Sequence, residues 1–183
     1  EPILIGRPAV IEARIAQAGL RLRLGVDVAN INPESDPRFR QYWEHYHRLM
    51  GRDGGTPEVA KSAVRRSNTI IAALMVTLGD ADAMICGLAG DYETHLERIH
   101  SIIGRQPCVT NYAALNALMT GRGPLFIADT YVNEMPSAEE LAEIAWMAAQ
   151  EVQRFGLPPK VAFLSHSSYG SSKRASARKM ANA

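Results

Sequence analysis

The residues best suited to chemistry gather in two short stretches. One is Ser165-His166-Ser167-Ser168-Tyr169-Gly170-Ser171-Ser172-Lys173-Arg174. It combines hydroxyls, a glycine and two adjacent cations. Backbone N–H groups beside a glycine can form an anion-binding nest, and hydroxyls and cations add charge-matched donors. That suits a phosphate-bearing ligand; a solvated serine-rich turn ahead of a helix is the alternative reading of the same spacing. The other stretch is Asp129-Thr130-Tyr131-Val132-Asn133-Glu134. Neither holds a Gly-Lys-Ser phosphate-loop signature, which argues against a nucleoside triphosphatase.

A metal site finds little support. His45 and His47 are two residues apart and point in different directions on a helix. His95 and His100 are five apart, and no Cys-His cluster completes a ligand set. These histidines are expected at a surface or an interface. Asp80 and Asp82 read as a turn leading into a strand rather than as cation ligands. Phe39, Tyr42, Trp43 and Tyr46 recur at helical spacing. Core or subunit packing is the expected use, and stacking on an adenine ring the alternative.

Alternating strand and helix patterns position these stretches, so the fold class is α/β. Ile3 to Ile5 reads as a buried strand, and Pro8 as the first turn of a helix with a stripe of Val10, Ile11, Ile15 and Ala18, stopping at Gly19. Val26 to Ile31 is a strand candidate, followed by turn chemistry from Asn32 to Pro37 and an aromatic helix from Pro37 to Met50. Thr56 and Pro57 read as N-cap and first helical residue, and the run Asn68 to Leu78 is apolar enough for a mostly buried helix. Asp82 to Gly87 reads as a core strand, and Asp91 to Ile103 as a helix with Leu96, Ile99 and Ile103 on one face.

Gly104-Arg105-Gln106-Pro107 then breaks the pattern. A boundary there separates a first subdomain over residues 1–107 from a second over 108–183. Asn111 to Met119 is ambiguous between helix and strand, and Thr120 to Gly123 is a turn that can join two antiparallel strands. Ser137 to Glu140 is a capping box ahead of a stripe of Leu141, Ile144, Ala145, Ala148, Val152 and Phe155. Gly156 and Pro158 stop that helix, and Val161 to Leu164 is expected to close a right-handed β–α–β unit with the Leu125 strand. Ligands of open α/β sheets bind beyond the carboxyl ends of strands, where both chemistry-bearing stretches fall.

Composition narrows the function classes. Of 183 residues, 46% are hydrophobic and 21% charged, ordinary for a chain that builds a core. A net charge of +1 gives no reason to expect a general nucleic-acid or membrane-surface binder. The longest apolar runs fall far short of the ~20 residues that span a bilayer. Cys86 and Cys108 lack metal or redox spacing, and free thiols in a reducing cytoplasm are expected. Both ends look cut, because a strand pattern starts at once and the last residues follow directly on the serine-rich loop.

Five stretches, in this order, resemble the phosphate acetyl/butyryl transferase family: Pro2-Ile3-Leu4-Ile5-Gly6, Leu78-Gly79-Asp80-Ala81-Asp82 with Gly87, Leu125-Phe126-Ile127-Ala128-Asp129, Pro136-Ser137-Ala138-Glu139-Glu140 with Ile144-Ala145, and Val161 to Ser165 through Gly170-Ser171. Three others, Gln41 to Arg48, Asp91 to Arg98 and Ser165 to Lys173, resemble the subgroup fused behind the catalytic part of large bacterial NADP-dependent malic enzymes. The resemblance implies an α/β/α sandwich of two subdomains around a cleft, of the phosphotransacetylase and isocitrate/isopropylmalate dehydrogenase type. It further implies a homo-oligomer and an acyl-CoA ligand such as acetyl-CoA. On this reading Ser165, His166, Ser167, Ser168, Gly170, Ser171, Lys173, Arg174, Asp129 and Asn133 bind the acyl-CoA or its phosphates.

The resemblance is incomplete where transfer chemistry needs charge. An active-site arginine of true transferases falls at Glu97, with Arg98 one residue and so about 100° away on a helix. A loop lysine of those transferases falls at Tyr169. The family's remaining catalytic groups, a Ser-Arg pair and an aspartate, lie C-terminal to the matched stretches. Transfer must neutralise a phosphate and a developing oxyanion, so no catalytic residue is expected here. The resemblance thus implies a regulatory domain without cofactor or metal of its own. The malic-enzyme catalytic domain of the same polypeptide would oxidatively decarboxylate malate to pyruvate with NADP and a divalent metal. An active phosphate acetyltransferase and a purely structural oligomerisation domain are the alternatives.

Overall fold

The computed structural model describes every residue except Ser168 and Tyr169, and leaves aside the side chain of Asp53. The chain divides into two compact units, Glu1–Gly104 and Arg105–Ala183. Each combines helices with one small two-stranded sheet, an α/β fold.

In the first unit, β1 (Ile3–Ile5) pairs in parallel with β2 (Ala29–Ile31). The amide of Asn30 ties them further, donating to the carbonyls of Leu4 and Gly6 at 3.0 Å each. Between the strands runs α1 (Pro8–Gln17), with Pro8 in its first turn and Gly19 in a left-handed conformation just past its end. None of its residues is buried, so its apolar stripe carries no core. The expected strand from Val26 shortens to Ala29–Ile31. Asp27 turns the chain first: its carboxylate accepts from the Arg23 amide at 2.8 Å and leaves Val26 exposed.

Three helices build the core: α2 (Phe39–Met50), α3 (Pro57–Arg66) and α4 (Asn68–Leu78). The Thr56 side chain caps α3, accepting from the Val59 amide at 3.3 Å. Ser67 closes α3 and opens α4, accepting from the Ile70 amide at 3.3 Å from an extended backbone. This corner lets α4 bury Thr69, Ile70, Ile71, Ala73, Leu74 and Met75, as its apolar run foreshadows. Ile31, Tyr42, Val64 and Ile102 complete the cluster, the last from α5 (Tyr92–Ile102). On α5 the packed residue is Ile102, while Ile103 is 41% exposed, one position off the expected face.

The expected core strand Asp82–Gly87 is not formed. The segment is irregular and Ile85 is fully exposed. An apolar run becomes a strand only where a neighbour supplies a hydrogen-bond ladder, and among the described residues none lies beside it.

In the second unit, β3 (Leu115–Thr120) and β4 (Gly123–Ala128) form an antiparallel hairpin closed at Thr120 and Gly123. This settles the ambiguous Asn111–Met119 run as strand from Leu115. The capping box opens α6 (Ala138–Arg154): Glu140 N–H donates to Ser137 Oγ at 3.1 Å, and Ser137 N–H to the Glu140 carboxylate at 2.7 Å. Of the expected stripe only Ile144 is buried, and Phe155 stays 64% exposed although its ring meets Phe126 at 5.2 Å between centroids. Val161–Leu164 forms neither strand nor helix, and among the described residues β4 pairs only with β3, so the expected β–α–β crossover does not form. A short helix, α7 (Ala175–Asn182), contacts α6 and buries Ala177.

Candidate functional site

The loop after β4 is organised by one carboxylate. Asp129 Oδ1 accepts from the amides of Ala114 (2.9 Å) and Val132 (3.3 Å); Oδ2 accepts from the Asn133 amide (2.8 Å) and side chain (2.6 Å). Asn133 Nδ2 also donates to the Tyr112 carbonyl at 2.7 Å. Burial alone would raise the Asp129 pKa, but these hydrogen bonds to the charged form outweigh it and hold the carboxyl below its ordinary range. The structure therefore brings Asp129 and Asn133 together, with the lone pairs of Asp129 spent on shaping the loop.

Sequence reasoning missed a second clamp beside it. Glu143, on α6, accepts from Thr110 N (2.8 Å), Thr110 Oγ1 (2.7 Å), Asn111 N (3.0 Å) and Asn111 Nδ2 (2.8 Å). The hydrogen bonds to Thr110, and then those to Asn111, draw its pKa down. Arg105 adds a bond to the Thr110 carbonyl and places its guanidinium 5.9 Å from the Tyr112 ring centre. The residues 110–114 leading into β3 are thus held from α6 on one side and from the Asp129 loop on the other.

The serine-rich loop is closed by its own bonds. Ser165 Oγ accepts from the Ser167 amide (3.1 Å) and donates to the Ser167 carbonyl (3.2 Å). Ser167 Oγ accepts from the Ser172 amide (3.1 Å) and faces Ser171 Oγ at 3.5 Å, and Ser172 Oγ accepts from the Arg174 amide at 3.3 Å. His166 Nδ1 lies 3.4 Å from Ser176 Oγ in the first turn of α7. Gly170 adopts φ +72°, the left-handed conformation that favours glycine and that nests use. Ser168, and with it the Tyr169 position, lies outside the described residues. Ser165 and Ser167 are therefore committed to loop shape. Lys173 and Arg174 are exposed, and among the described residues no carboxylate pairs with either.

The other chemistry-bearing residues serve structure. His95 bridges two elements: its Nε2 faces the Ala89 carbonyl and its Nδ1 the Thr69 hydroxyl, each at 2.8 Å. A carbonyl only accepts, so Nε2 carries a proton toward Ala89. The aromatic faces of α2 are already covered, Trp43 by Lys61 Nζ at 4.5 Å and Phe39 by the Arg65 guanidinium at 4.7 Å. Phe39, Trp43 and Tyr46 also pack against the core cluster. Asp80 accepts from the Tyr42 hydroxyl at 2.7 Å, with Arg38 3.7 Å away. Among the described residues no group of three or more His, Cys, Asp or Glu could hold a metal ion. No helix among them is long and apolar enough to cross a membrane. Glu97 stands exposed on α5.

The chain has relatives among known proteins. The family model for phosphate acetyl/butaryl transferase matches residues 1–183. The chain is 53% identical over 180 residues to the NADP-dependent malic enzyme of Salmonella typhimurium, covering 98% of this chain and 24% of that protein. It is 49% identical over 183 residues to the NAD-dependent malic enzyme of Rhizobium meliloti, again 24% of that protein. It thus spans about a quarter of the length of these curated relatives. Among solved structures, the EutD phosphotransacetylase from Staphylococcus aureus superposes with a TM-score of 0.82 at 23% identity, covering 99% of this chain and 53% of that one. The fold is accordingly phosphotransacetylase-like, and the chain belongs to the phosphate acetyl/butaryl transferase family.

Proposed function

We propose that the chain is a ligand-sensing domain of a malic enzyme. It binds acetyl-CoA or a related acyl-CoA at the Ser165–Arg174 loop and couples that binding to malate oxidation. The observation that carries this reading is a retained transferase fold with uneven charge. Lys173 and Arg174 are exposed and without a carboxylate partner among the described residues. Glu97, where the resemblance implies a transferase arginine, is an exposed carboxylate on α5. Binding tolerates that exchange; transfer of an acetyl group to phosphate, which builds negative charge, does not. Asp129, Asn133 and Glu143 keep the neighbouring loops in shape. The reaction under control is oxidative decarboxylation of malate to pyruvate with a nicotinamide cofactor and a divalent metal, both held by the catalytic part of a homo-oligomeric polypeptide.

Coupling requires that the ligand bind two states of the assembly with different affinity. On the full-length enzyme, acetyl-CoA should shift the malate concentration for half-maximal rate. A Lys173→Ala/Arg174→Ala double variant should oxidise malate normally and lose that shift. An equal shift in the double variant removes the loop from the mechanism. Acetyl phosphate formation abolished by the same changes would make the domain an active transferase.

A further inference from the structure

Helix α6 carries two unlike faces. On one, Ile144 is buried, and the Phe155 ring just past the helix end meets Phe126 of β4 at 5.2 Å. Trp146 lies two residues from Ile144, so about 160° round the helix, and is 54% exposed. Ala142, Ala149, Gln150 and Gln153 stand one and two turns from it and share its face. Ala142 and Gln153 are exposed, Ala149 and Gln150 partly so. None of these five residues carries a charge. Three carboxylates of α6 are engaged elsewhere: Glu140 completes the capping box, Glu143 holds Thr110 and Asn111, and Glu151 pairs with Arg154 at 2.7 Å. Glu139 stands exposed in the first turn, in line with the Trp146 face.

We infer that this face pairs with the same face of a second copy, the two α6 helices running antiparallel about a two-fold axis at Trp146. Near such an axis each residue meets its own copy, so a central charge would face a like charge. The centre of this face has none. Trp146 supplies the large aromatic contact that interfaces concentrate at their core. Ala142 and Ala149 on either side leave room for the partner's indole. The ends are complementary in charge. Glu139 lies seven residues before Trp146 and Gln153 seven after it, so Glu139 of one copy falls beside Gln153 and Arg154 of the other. Antiparallel helices also set opposite dipole ends side by side. Among its described residues the second unit buries only Ile144 and Ala177 of its apolar side chains, so the added burial matters to it. The inference rests on the homo-oligomeric part of the reading above and gives it a surface.

The test is cysteine cross-linking of the full-length protein, on a background without other cysteines. Trp146→Cys should give a disulfide-linked dimer on treatment with diamide, because the axis sets position 146 against itself. Glu139→Cys alone should not, its two copies lying about 21 Å apart along the helices, whereas Glu139→Cys combined with Gln153→Cys should. Trp146→Glu sets two carboxylates at the axis and should at least halve the mass in sedimentation velocity, with far-UV circular dichroism unchanged because the position is exposed. An oligomer in which Trp146→Cys stays uncross-linked, or in which Trp146→Glu keeps its mass, overturns the inference and leaves the acyl-CoA reading standing. A monomeric wild-type protein overturns the inference together with the homo-oligomeric part of that reading. Shielding of Trp146 from acrylamide without cross-linking, in a variant keeping this tryptophan alone, would show α6 covered by a segment of the same polypeptide outside residues 1–183, and overturns the inference too.

Discussion

Tyr42 is 1% exposed, and its hydroxyl donates to an Asp80 carboxylate that also faces Arg38. Burial, and then the bond to Asp80, push its pKa well above the ordinary tyrosine value, so it stays a neutral donor. Tyr42→Phe keeps the ring packing and removes one hydrogen bond, and should cost about 1 kcal/mol in urea unfolding. A cost of several kcal/mol would mean that the hydroxyl organises more than Asp80. Asp129 gives a pH-dependent counterpart. Its folded pKa is depressed, so its contribution is fully present above the unfolded value of about 4 and is lost as pH falls through the folded pKa. Asp129→Asn should destabilise at neutral pH by on the order of 1–3 kcal/mol. It should also flatten the loss of stability on the acid side, measured as unfolding midpoints between pH 6 and 3.

Elements whose instructions are local were legible in the sequence. Thr56-Pro57 and Ser137 with Glu140 name their own helix starts, because a cap and its partner lie within one turn. Ser137→Ala should cost about 1 kcal/mol of stability, and far-UV circular dichroism should show earlier thermal fraying of α6. Identical melting curves would contradict the capping role. Strands are less legible, because a ladder needs a neighbour that local periodicity does not report. Leu115–Thr120 found one in Gly123–Ala128, eight residues along, whereas Asp82–Gly87 and Val161–Leu164 carry similar apolar runs and find none among the described residues. Within the candidate site the same distinction holds. The serine loop announced itself by composition. The Glu143 clamp did not, since its partners Thr110 and Asn111 lie 33 and 32 residues away.

At the scale of the molecule, the two units differ in what holds them. Buried apolar residues of the first unit centre on α4, while among the described residues the second buries only Ile144 and Ala177. Hydrophobic burial is the main favourable term in folding, so opening should be easier in the second unit. Hydrogen exchange should find the amides of α4 protected at least ~100-fold more than those of the β3–β4 hairpin; equal protection would show the two units opening as one. The proposed function draws on both units: Lys173 and Arg174 of the second would serve binding, and Glu97 of the first stands where the resemblance implies a transferase arginine. Its most direct test is a titration of acetyl-CoA into the full-length protein by calorimetry, with acetyl phosphate formation assayed in the same preparation. Saturable binding without acetyl phosphate is the expected result. Turnover would show an enzyme with the loss at Glu97 compensated elsewhere, and an absence of binding would contradict the sensor outright.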